Sequence, residues 1–393
     1  MSGTPATASE TMTDCVRPLK ILLVAPSPPP YGGIALQSRL LERLLRGDGH
    51  SVVFLPSNFP FPAGLGFLAR FPGLRTAARF ILIWPKLWAE TRQAEIVHVM
   101  AASWWYFFLA VYPAVLAGRV HGKRVIVNYR GGAAKRFFQF YGWAAAPVFR
   151  LASAVTTPSQ FLAEPIRQRF GVSVSIVPNI LDTSAFPYRD RTEIRPRMLV
   201  TRHLEKIYDV ETVLKAFRSV RESYSDASLW IAGTGSEEAR LRGLVSAWNL
   251  QNVRFLGHVR HSELGKVYEE RDILLNASHV DNFPAGLIEA SGAGLVVVST
   301  CAGGIPAIYE HEKSALLVEI GDWRQLALSV KRVLQFPSMA REMTRVAYEV
   351  AKTCAWSEVR KRLYSAYGWA PAERAGVTSC AAARPSPGLG RAQ

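Results

Sequence analysis

The chain has 393 residues, 49% hydrophobic and 20% charged, a composition that excludes a disordered protein and a length that suggests two domains. The formal net charge is +16, but the sequence has no recognisable nucleic-acid-binding module and no Lys/Arg run, so nucleic acid is not an expected partner. Cys15, Cys301, Cys354 and Cys380 lack CxxC or metal-ligand spacing, which argues against a disulfide framework and favours a reducing cytoplasm.

Both ends of the chain are predicted to be disordered tails. Residues 1–17 begin with the small, polar stretch MSGTPATASETMTD, which lacks the basic start and apolar run of a signal peptide. Residues 371–393 are rich in Ala, Pro, Gly and Arg. We therefore expect a cytoplasmic protein.

A parallel sheet is predicted for the first half. After Lys20 the chain reads as a buried strand (ILLVA), a Pro/Gly loop, an amphipathic helix and a second strand (SVVFL), which is a βαβ unit. Further strand patterns follow: EIVHV, KRVIVNY, SAVTTPS and VSIVPN. The uncharged run of residues 96–118 is long enough to span a membrane. We interpret it instead as a strand of this series followed by a covering helix interrupted at Pro113.

A second alternating series begins near Met198. Its strand patterns are MLVTR, SLWIAG, VRFLG, ILLNAS, VVVST and ALLVE, with helices between them. The pattern predicts two doubly wound α/β domains, residues 18–190 and 191–354, joined where Pro and charge interrupt it near residues 182–197.

Glycines and a cation follow strands of the first domain, at the edge where parallel sheets bind ligands. Gly32 and Gly33 precede a helix and leave backbone N–H groups to face an anion. Their spacing is not GxGxxG, and no acidic residue follows at the ribose position, which counts against a nicotinamide enzyme. Arg130 precedes two glycines and suits an anionic or hydroxyl-rich ligand; the alternative is an ion pair across the cleft.

The second domain carries the strongest pattern. Arg202 ends its first strand and suits a diphosphate, whereas Lys206 fits that role or a solvated loop equally well. In HVDNFPAGLIEASGAG, Asp281 is expected in a loop, and Glu289 in a helix that starts near Pro284. The helix start suits a phosphate or sugar hydroxyls, and a Glu further in can accept hydrogen bonds from a ribose diol.

These residues resemble the family 4 glycosyltransferases, which have the GT-B fold of two facing Rossmann-like domains with a cleft between them. The resemblance covers residues 18–370 and rests most specifically on DNFPAGLIEASGAG and STCAGGIPAIYEH. It implies retaining, metal-independent transfer of a sugar, with a hexose favoured, from a UDP-, GDP- or similar sugar. The implied acceptor is a glycan or a lipid-linked molecule in cell-envelope or exopolysaccharide synthesis. It also implies that the final helix, about residues 355–370, crosses back to the first, acceptor-binding domain.

The resemblance also implies roles for individual residues. Glu289 would bind the ribose, Asp281 the sugar, and Arg202 the diphosphate, with Arg130 completing the catalytic group. The further expected donor contacts are Gly32, Gly33, Lys206, Val259, Ala285, Gly286 and Leu287.

Three positions depart from the family pattern. Asp281 stands where Glu is usual and is one methylene shorter, which is expected to alter sugar preference. Lys206 follows Arg202 by four residues instead of the usual five. Arg130 replaces the usual His, and a guanidinium cannot act as a base near neutral pH, although it can hold an acceptor or a departing phosphate. A degenerate homologue that binds nucleotide or glycan without turnover is therefore the alternative.

The positive charge is concentrated in the first half. Residues 1–190 hold 20 Lys and Arg against 9 Asp and Glu. Together with the aromatic content of this half, this favours an anionic membrane surface as a partner, at the inner face of the plasma membrane. Residues 59–88 are the predicted contact. The alternatives are an acceptor-lining insertion, or an Arg-rich composition without a partner.

Overall fold

The computed structural model describes residues 17–29, 32–59 and 72–369, without the side chains of residues 72–77 and 80. Apart from Arg17, the two predicted tails lie outside the described residues, as do Cys15 and Cys380.

Two six-stranded parallel sheets organise the described part of the chain. The first has the order β2-β1-β3-β4-β5-β6 and the second β12-β11-β10-β7-β8-β9. The strands of the first sheet are β1 (Lys20–Ala25), β2 (Ser51–Pro56), β3 (Ile96–Ala101), β4 (Arg124–Tyr129), β5 (Ala154–Thr157) and β6 (Val174–Ile176). Those of the second are β7 (Arg197–Thr201), β8 (Ser228–Ala232), β9 (Val253–Gly257), β10 (Ile273–Asn276), β11 (Val296–Thr300) and β12 (Leu316–Val318). The prediction of two doubly wound α/β domains is confirmed.

Helices cover both faces of each sheet, which explains why the strands are apolar along most of their length. The helices that follow strands of the first sheet are α1 (Gly33–Gly47), α2 (Pro72–Gln93), α3 (Tyr112–Val120), α4 (Ala134–Leu151) and α5 (Gln160–Phe170). The later helices are α6 (Val210–Ser223), α7 (Glu238–Ala247), α8 (His261–Glu269), α9 (Ala285–Gly292), α10 (Trp323–Gln335), α11 (Pro337–Lys352) and α12 (Trp356–Ala366). Helices α2 to α5 cover one face of the first sheet, and α1 with α12 covers the other.

The apolar run of residues 96–118 forms a strand and a helix. Its first residues are β3, as predicted. The helix differs from the prediction because Pro113 lies in the first turn of α3, directly after a π-helix at Phe107–Val111. The N–H of Tyr112 donates to the carbonyl of Phe107, so the helix widens ahead of the proline instead of breaking there. Within the described residues, no helix has the length and apolarity needed to cross a membrane.

The last helix, α12, packs on the first sheet. Asp48, after α1, accepts hydrogen bonds from Trp356 Nε1 (3.1 Å) and from the Tyr364 hydroxyl (2.6 Å). The Tyr367 hydroxyl lies 2.8 Å from Nδ1 of His98 in β3. The predicted domain boundary near residues 182–197 falls between β6 and β7, and its limits stay a prediction.

The buried His98 generates a prediction for stability. Burial, and to a smaller extent the positive charge of Arg130, lowers the pKa of His98 to about 3 from its usual 6.5. Between these two pH values the unfolded chain binds a proton that the folded chain excludes. Stability should therefore fall as the pH falls below 6.5, by up to about 1.4 kcal/mol per pH unit.

Urea unfolding of the wild type and of His98→Gln between about pH 7 and pH 4 tests this expectation. Glutamine does not titrate, so the variant should lose stability less steeply with acid, whatever its stability at neutral pH. His311→Gln, at an exposed position, is the matched control. An unchanged pH slope in His98→Gln would contradict the assignment.

Candidate active site

The loops after β10 and β11 lie directly against each other at the carboxyl edge of the second sheet. The N–H of Gly304 donates to the carbonyl of Asp281 over 2.7 Å. A Cβ at Gly303 would lie 2.1 Å from the same carbonyl oxygen, and one at Gly304 would lie 2.2 Å from the carbonyl oxygen of Asn282. The two glycines therefore permit the close contact between the two loops.

Arg202 and Asp281 form an ion pair at this edge. Arg202 Nη2 lies 2.6 Å from Asp281 Oδ2, and the two side chains are only 13% and 11% exposed. The Nη2 N–H bonds are not aligned with the carboxylate for a hydrogen bond, whereas Arg202 Nε donates to Asn276 Oδ1 over 3.0 Å. The expected diphosphate cation is thus neutralised by the expected sugar-binding acid, and a ligand must share or replace this contact.

The turn after Arg202 brings a tyrosine to the site. Lys206 begins a 3₁₀ helix that ends at Tyr208, and the Tyr208 ring centroid lies 5.3 Å from Arg202 Cζ. The Lys206 side chain is exposed and makes no hydrogen bond or ion pair with any described residue. Its predicted contact with a diphosphate stays a prediction.

Glu289 projects from α9 into a polar cluster that the sequence pattern did not reveal. The Tyr268 hydroxyl from α8 donates to Glu289 Oε2 over 3.1 Å and lies 2.9 Å from Thr201 Oγ1. The pKa of Glu289 is raised above its usual value, because the effect of burial exceeds the opposing effects of the nearby His261, Tyr268 and Arg202. Glu289 is half-buried as a residue, and no described residue donates a hydrogen bond to its other carboxylate oxygen, Oε1.

The predicted donor-binding residues at the start of α9 differ in which of their atoms can contact a ligand. Ala285 is the first residue of the helix and is half-buried. Gly286 packs so closely that a Cβ there would lie 2.6 Å from Thr201 Oγ1. The Leu287 side chain is buried in the core, so only its backbone can reach a ligand. Val259 is half-buried in the loop between β9 and α8.

In the first domain, Gly32 and Gly33 lie at the open start of α1. Gly32 is the residue before the helix and Gly33 its first residue. A Cβ at either position would meet no described atom within 4 Å. Packing therefore does not explain these glycines, and the helix start is available to an anion.

Arg130 has only neutral hydrogen-bond partners among the described residues. Its Nε donates to Asn128 Oδ1 over 3.1 Å, and its Nη1 donates to Asn179 Oδ1. No described carboxylate forms an ion pair with it, so the alternative of a pair across the cleft is not observed. Burial lowers the pKa of Arg130 to about 10, which leaves it protonated at neutral pH. A positive charge without a counter-ion among the described residues thus lies next to Asn179, whose amide contacts the second domain.

Two asparagines connect the domains beside Arg130. Asn179 Nδ2, after β6, donates to the carbonyl of Phe283 over 3.0 Å. Asn282 Nδ2 lies 3.4 Å from the carbonyl of Arg130, to which it donates. The loop that carries Arg130 therefore lies opposite the loop that carries Asp281. Asn179 and Asn282 belong to the quoted segments VSIVPN and DNFPAGLIEASGAG, but neither they nor Tyr268 were predicted as site residues.

Family models match both halves of the chain. The model described as Glycosyltransferase Family 4 matches residues 31–185, and the model described as Glycosyl transferases group 1 matches residues 189–350. The chain belongs to the family 4 glycosyltransferases. As members of this family transfer sugars, the protein is a glycosyltransferase, as predicted.

Individual relatives of this glycosyltransferase are distant. Glycogen synthase from Mycobacterium tuberculosis is 24% identical over 89% of this chain and 92% of its own length. The phosphatidylinositol N-acetylglucosaminyltransferase GPI3 subunit of Saccharomyces cerevisiae is 25% identical over 49% of this chain and 45% of its own. HepE from Anabaena, solved with UDP and glucose, has a TM-score of 0.67 at 16% identity and covers 89% of this chain and 99% of its own. The structural match confirms the predicted GT-B fold of two Rossmann-like domains.

The contact between the two loops predicts opposite effects for two glycine substitutions. Gly303 has a φ of +58°, and a Cβ there would collide with the Asp281 carbonyl. Gly303→Ala should therefore lower the free energy of unfolding by about 2 kcal/mol or more and displace Asp281. Gly243→Ala, on the exposed side of α7 with no described atom near its Cβ, should raise stability by up to about 1 kcal/mol. Thermal unfolding measures both; equal effects of the two substitutions would contradict the close packing.

Proposed function

We propose that this glycosyltransferase moves a hexose from a nucleoside-diphosphate sugar to a glycan or lipid-linked acceptor, with retention of configuration and without a divalent metal ion. The observation that supports it best is the grouping of Arg202, Asp281 and Glu289 at the carboxyl edge of the second sheet, opposite Arg130. This grouping offers one cation, one accessible carboxylate on a helix and one carboxylate that a ligand can release from its ion pair.

Glu289 is the proposed ribose ligand. Tyr268 occupies Glu289 Oε2, and the other oxygen is left to accept a hydrogen bond from a ribose hydroxyl. Because the nucleotide in the HepE structure is UDP, we favour UDP as the nucleotide of the donor, with GDP as the alternative. Val259 would then lie beside the base, in the loop that precedes α8.

The diphosphate would lie between two sources of positive charge. Arg202 provides a guanidinium, and the starts of α1 and α9 provide backbone N–H groups at the positive end of each helix. Gly32 and Gly33 leave the start of α1 uncovered, and Ala285 and Gly286 begin α9. Since these groups can balance the phosphate charge, we expect chelation of divalent ions with EDTA to leave the transfer rate unchanged.

The diphosphate would displace the Asp281 carboxylate from Arg202, and this carboxylate would then accept a hydrogen bond from the donor sugar. During transfer the acceptor oxygen forms a bond to the anomeric carbon, and the bond from that carbon to the phosphate oxygen breaks. The acceptor proton goes to the departing phosphate, because Arg130 is protonated and cannot accept it. Arg130 would instead stabilise the negative charge that develops on the phosphate, or hold the acceptor.

The acceptor class rests on the first domain and on the named relatives. One relative is a glycogen synthase and another is a subunit of a phosphatidylinositol N-acetylglucosaminyltransferase. The basic, aromatic first domain fits an acceptor held at the cytoplasmic face of the membrane. Cell-envelope or exopolysaccharide synthesis is the proposed setting.

A degenerate homologue that binds without turnover is the second candidate. It is favoured by one observation, namely that Asp281 already neutralises Arg202. Activity that depends on Glu289 would exclude it.

Use of a nucleotide-sugar donor can be tested directly. Incubation with labelled UDP- and GDP-sugars should release nucleoside diphosphate by transfer or slow hydrolysis. Glu289→Gln keeps the size of the side chain but not its charge, and should weaken UDP binding by roughly tenfold. Glu269→Gln, in the last turn of α8, is the matched control. No binding of any nucleotide sugar to the wild type would refute the proposal.

A substitution of Asp281 separates its two proposed roles, the neutralisation of Arg202 and the binding of the donor sugar. Asp281→Asn removes the charge that neutralises Arg202, so free UDP should bind several-fold more tightly. Transfer from the intact donor should become slower, because the amide is a weaker acceptor for a sugar hydroxyl. Calorimetry with UDP and steady-state kinetics measure the two effects, with the exposed Asp226→Asn as control. Weaker binding of free UDP would contradict competition between Asp281 and the diphosphate.

A further inference from the structure

The first domain exposes an unusual number of large aromatic side chains. Among the described residues with high exposure, six aromatic side chains lie in this domain and only Phe336 in the second. Five of the six come from the loop after β3 and from α4. We refer to them as the aromatic surface: Trp104, Trp105, Phe140, Tyr141 and Trp143. Trp105 and Trp143 are 73% and 76% exposed, far more than tryptophan usually is in a soluble fold.

Ring contacts hold the Trp104 and Tyr141 part of the aromatic surface in place. The Trp104 ring packs edge-on against Tyr141, with centroids 6.1 Å apart, and against the buried Phe137 at 5.8 Å. Trp104 has a φ of +66°, a left-handed conformation that is unfavourable for a bulky residue by about 1 kcal/mol. The helix backbone is also non-helical at Tyr141. The chain thus tolerates local strain where it places these rings at the surface.

Two exposed cations precede the aromatic residues of α4. Lys135 and Arg136 are exposed in the first turn of α4, and Arg136 lies one turn before Phe140. Between Glu95 and Glu164 the sequence contains seven Lys or Arg and no Asp or Glu. Exposed indole rings next to unpaired cations match the boundary between the headgroups and acyl chains of an anionic bilayer.

The position of α4 relates this surface to the active site. The helix starts two residues after Gly132, in the loop that carries Arg130 and faces Asn282. A bilayer that contacts the aromatic surface would therefore lie next to the first-domain side of the cleft. A lipid-linked acceptor would reach Arg130 from that bilayer without leaving it completely.

We propose that the aromatic surface, with Lys135 and Arg136, docks the enzyme on anionic phospholipid and presents its cleft to the membrane. The lipid-linked acceptor in this picture rests on the proposed function, but docking itself does not require it. Of the segment 59–88 predicted from sequence as the contact, residues 60–71 lie outside the described residues, and that contact stays a prediction. Within α2, Trp88 is turned toward His121, with ring centroids 4.4 Å apart.

Co-sedimentation of the full chain with vesicles tests the proposal. Vesicles of phosphatidylcholine with about 30% phosphatidylglycerol should bind the wild type at about 0.1 M salt and release most of it at about 0.5 M. Pure phosphatidylcholine vesicles should bind it weakly. The Trp105→Gln/Trp143→Gln variant should lose roughly tenfold or more in affinity, because both indole rings leave the interface. Lys135→Gln/Arg136→Gln should lose roughly 25-fold and show a weaker salt dependence.

Phe336→Gln, at an exposed aromatic position of the second domain, is the matched control and should bind vesicles like the wild type. Binding of UDP and the circular dichroism spectrum should be unchanged in all variants, so lost folding is distinguished from lost docking. Docking is measured without donor or acceptor, so its failure leaves the proposed transferase activity untouched, and the reverse also holds. The proposal is overturned if the tryptophan variant binds vesicles like the wild type or if binding ignores lipid charge. It is also overturned if the variant loses only self-association in a sedimentation experiment, since the surface would then join two copies of the chain.

Discussion

The site depends on one geometric constraint, which is that all strands of each sheet are parallel. Parallel strands place their carboxyl ends on one edge, so the loops after β7, β8, β10 and β11 must meet. They meet very closely here. A Cβ at Gly233 would lie 1.8 Å from the Arg202 carbonyl oxygen, and one at Gly303 would lie 2.1 Å from the Asp281 carbonyl oxygen. Glycine at these positions lets backbone pack on backbone and fixes the ion pair between Arg202 and Asp281.

The sheets and the stretch from Asp281 to Glu289 could be predicted because residues close together in the sequence define them. Buried parallel strands are continuous apolar runs, and the residues around α9 are adjacent in the chain. The Arg202–Asp281 ion pair could not be predicted in the same way, since each residue was assigned a separate ligand. Only the packed loops show that the two side chains neutralise each other when no ligand separates them.

Helix geometry explains why some predicted donor residues face the cleft and others do not. Residues two apart on a helix point to nearly opposite sides, so Leu287 enters the core while Glu289 faces the cleft. The 3₁₀ turn after Arg202 likewise brings Tyr208 against the guanidinium and leaves Lys206 in solvent. Tyr268 and Asn179 were missed because a tyrosine within a helix and an asparagine before a linker carry no pattern of their own. Their roles arise from contacts with residues far away in sequence.

The position of α12 has a consequence for the order in which the protein can fold. Helix α12 is the last described helix, yet Tyr364 and Tyr367 complete a core that begins with Leu19 and Ile21. During synthesis, one face of the first sheet therefore stays without its final cover until the ribosome has released nearly the whole second domain. The second domain has no such dependence, because its strands and helices are contiguous. The nascent chain is thus expected to finish its amino-terminal domain last, reversing the usual order of cotranslational folding.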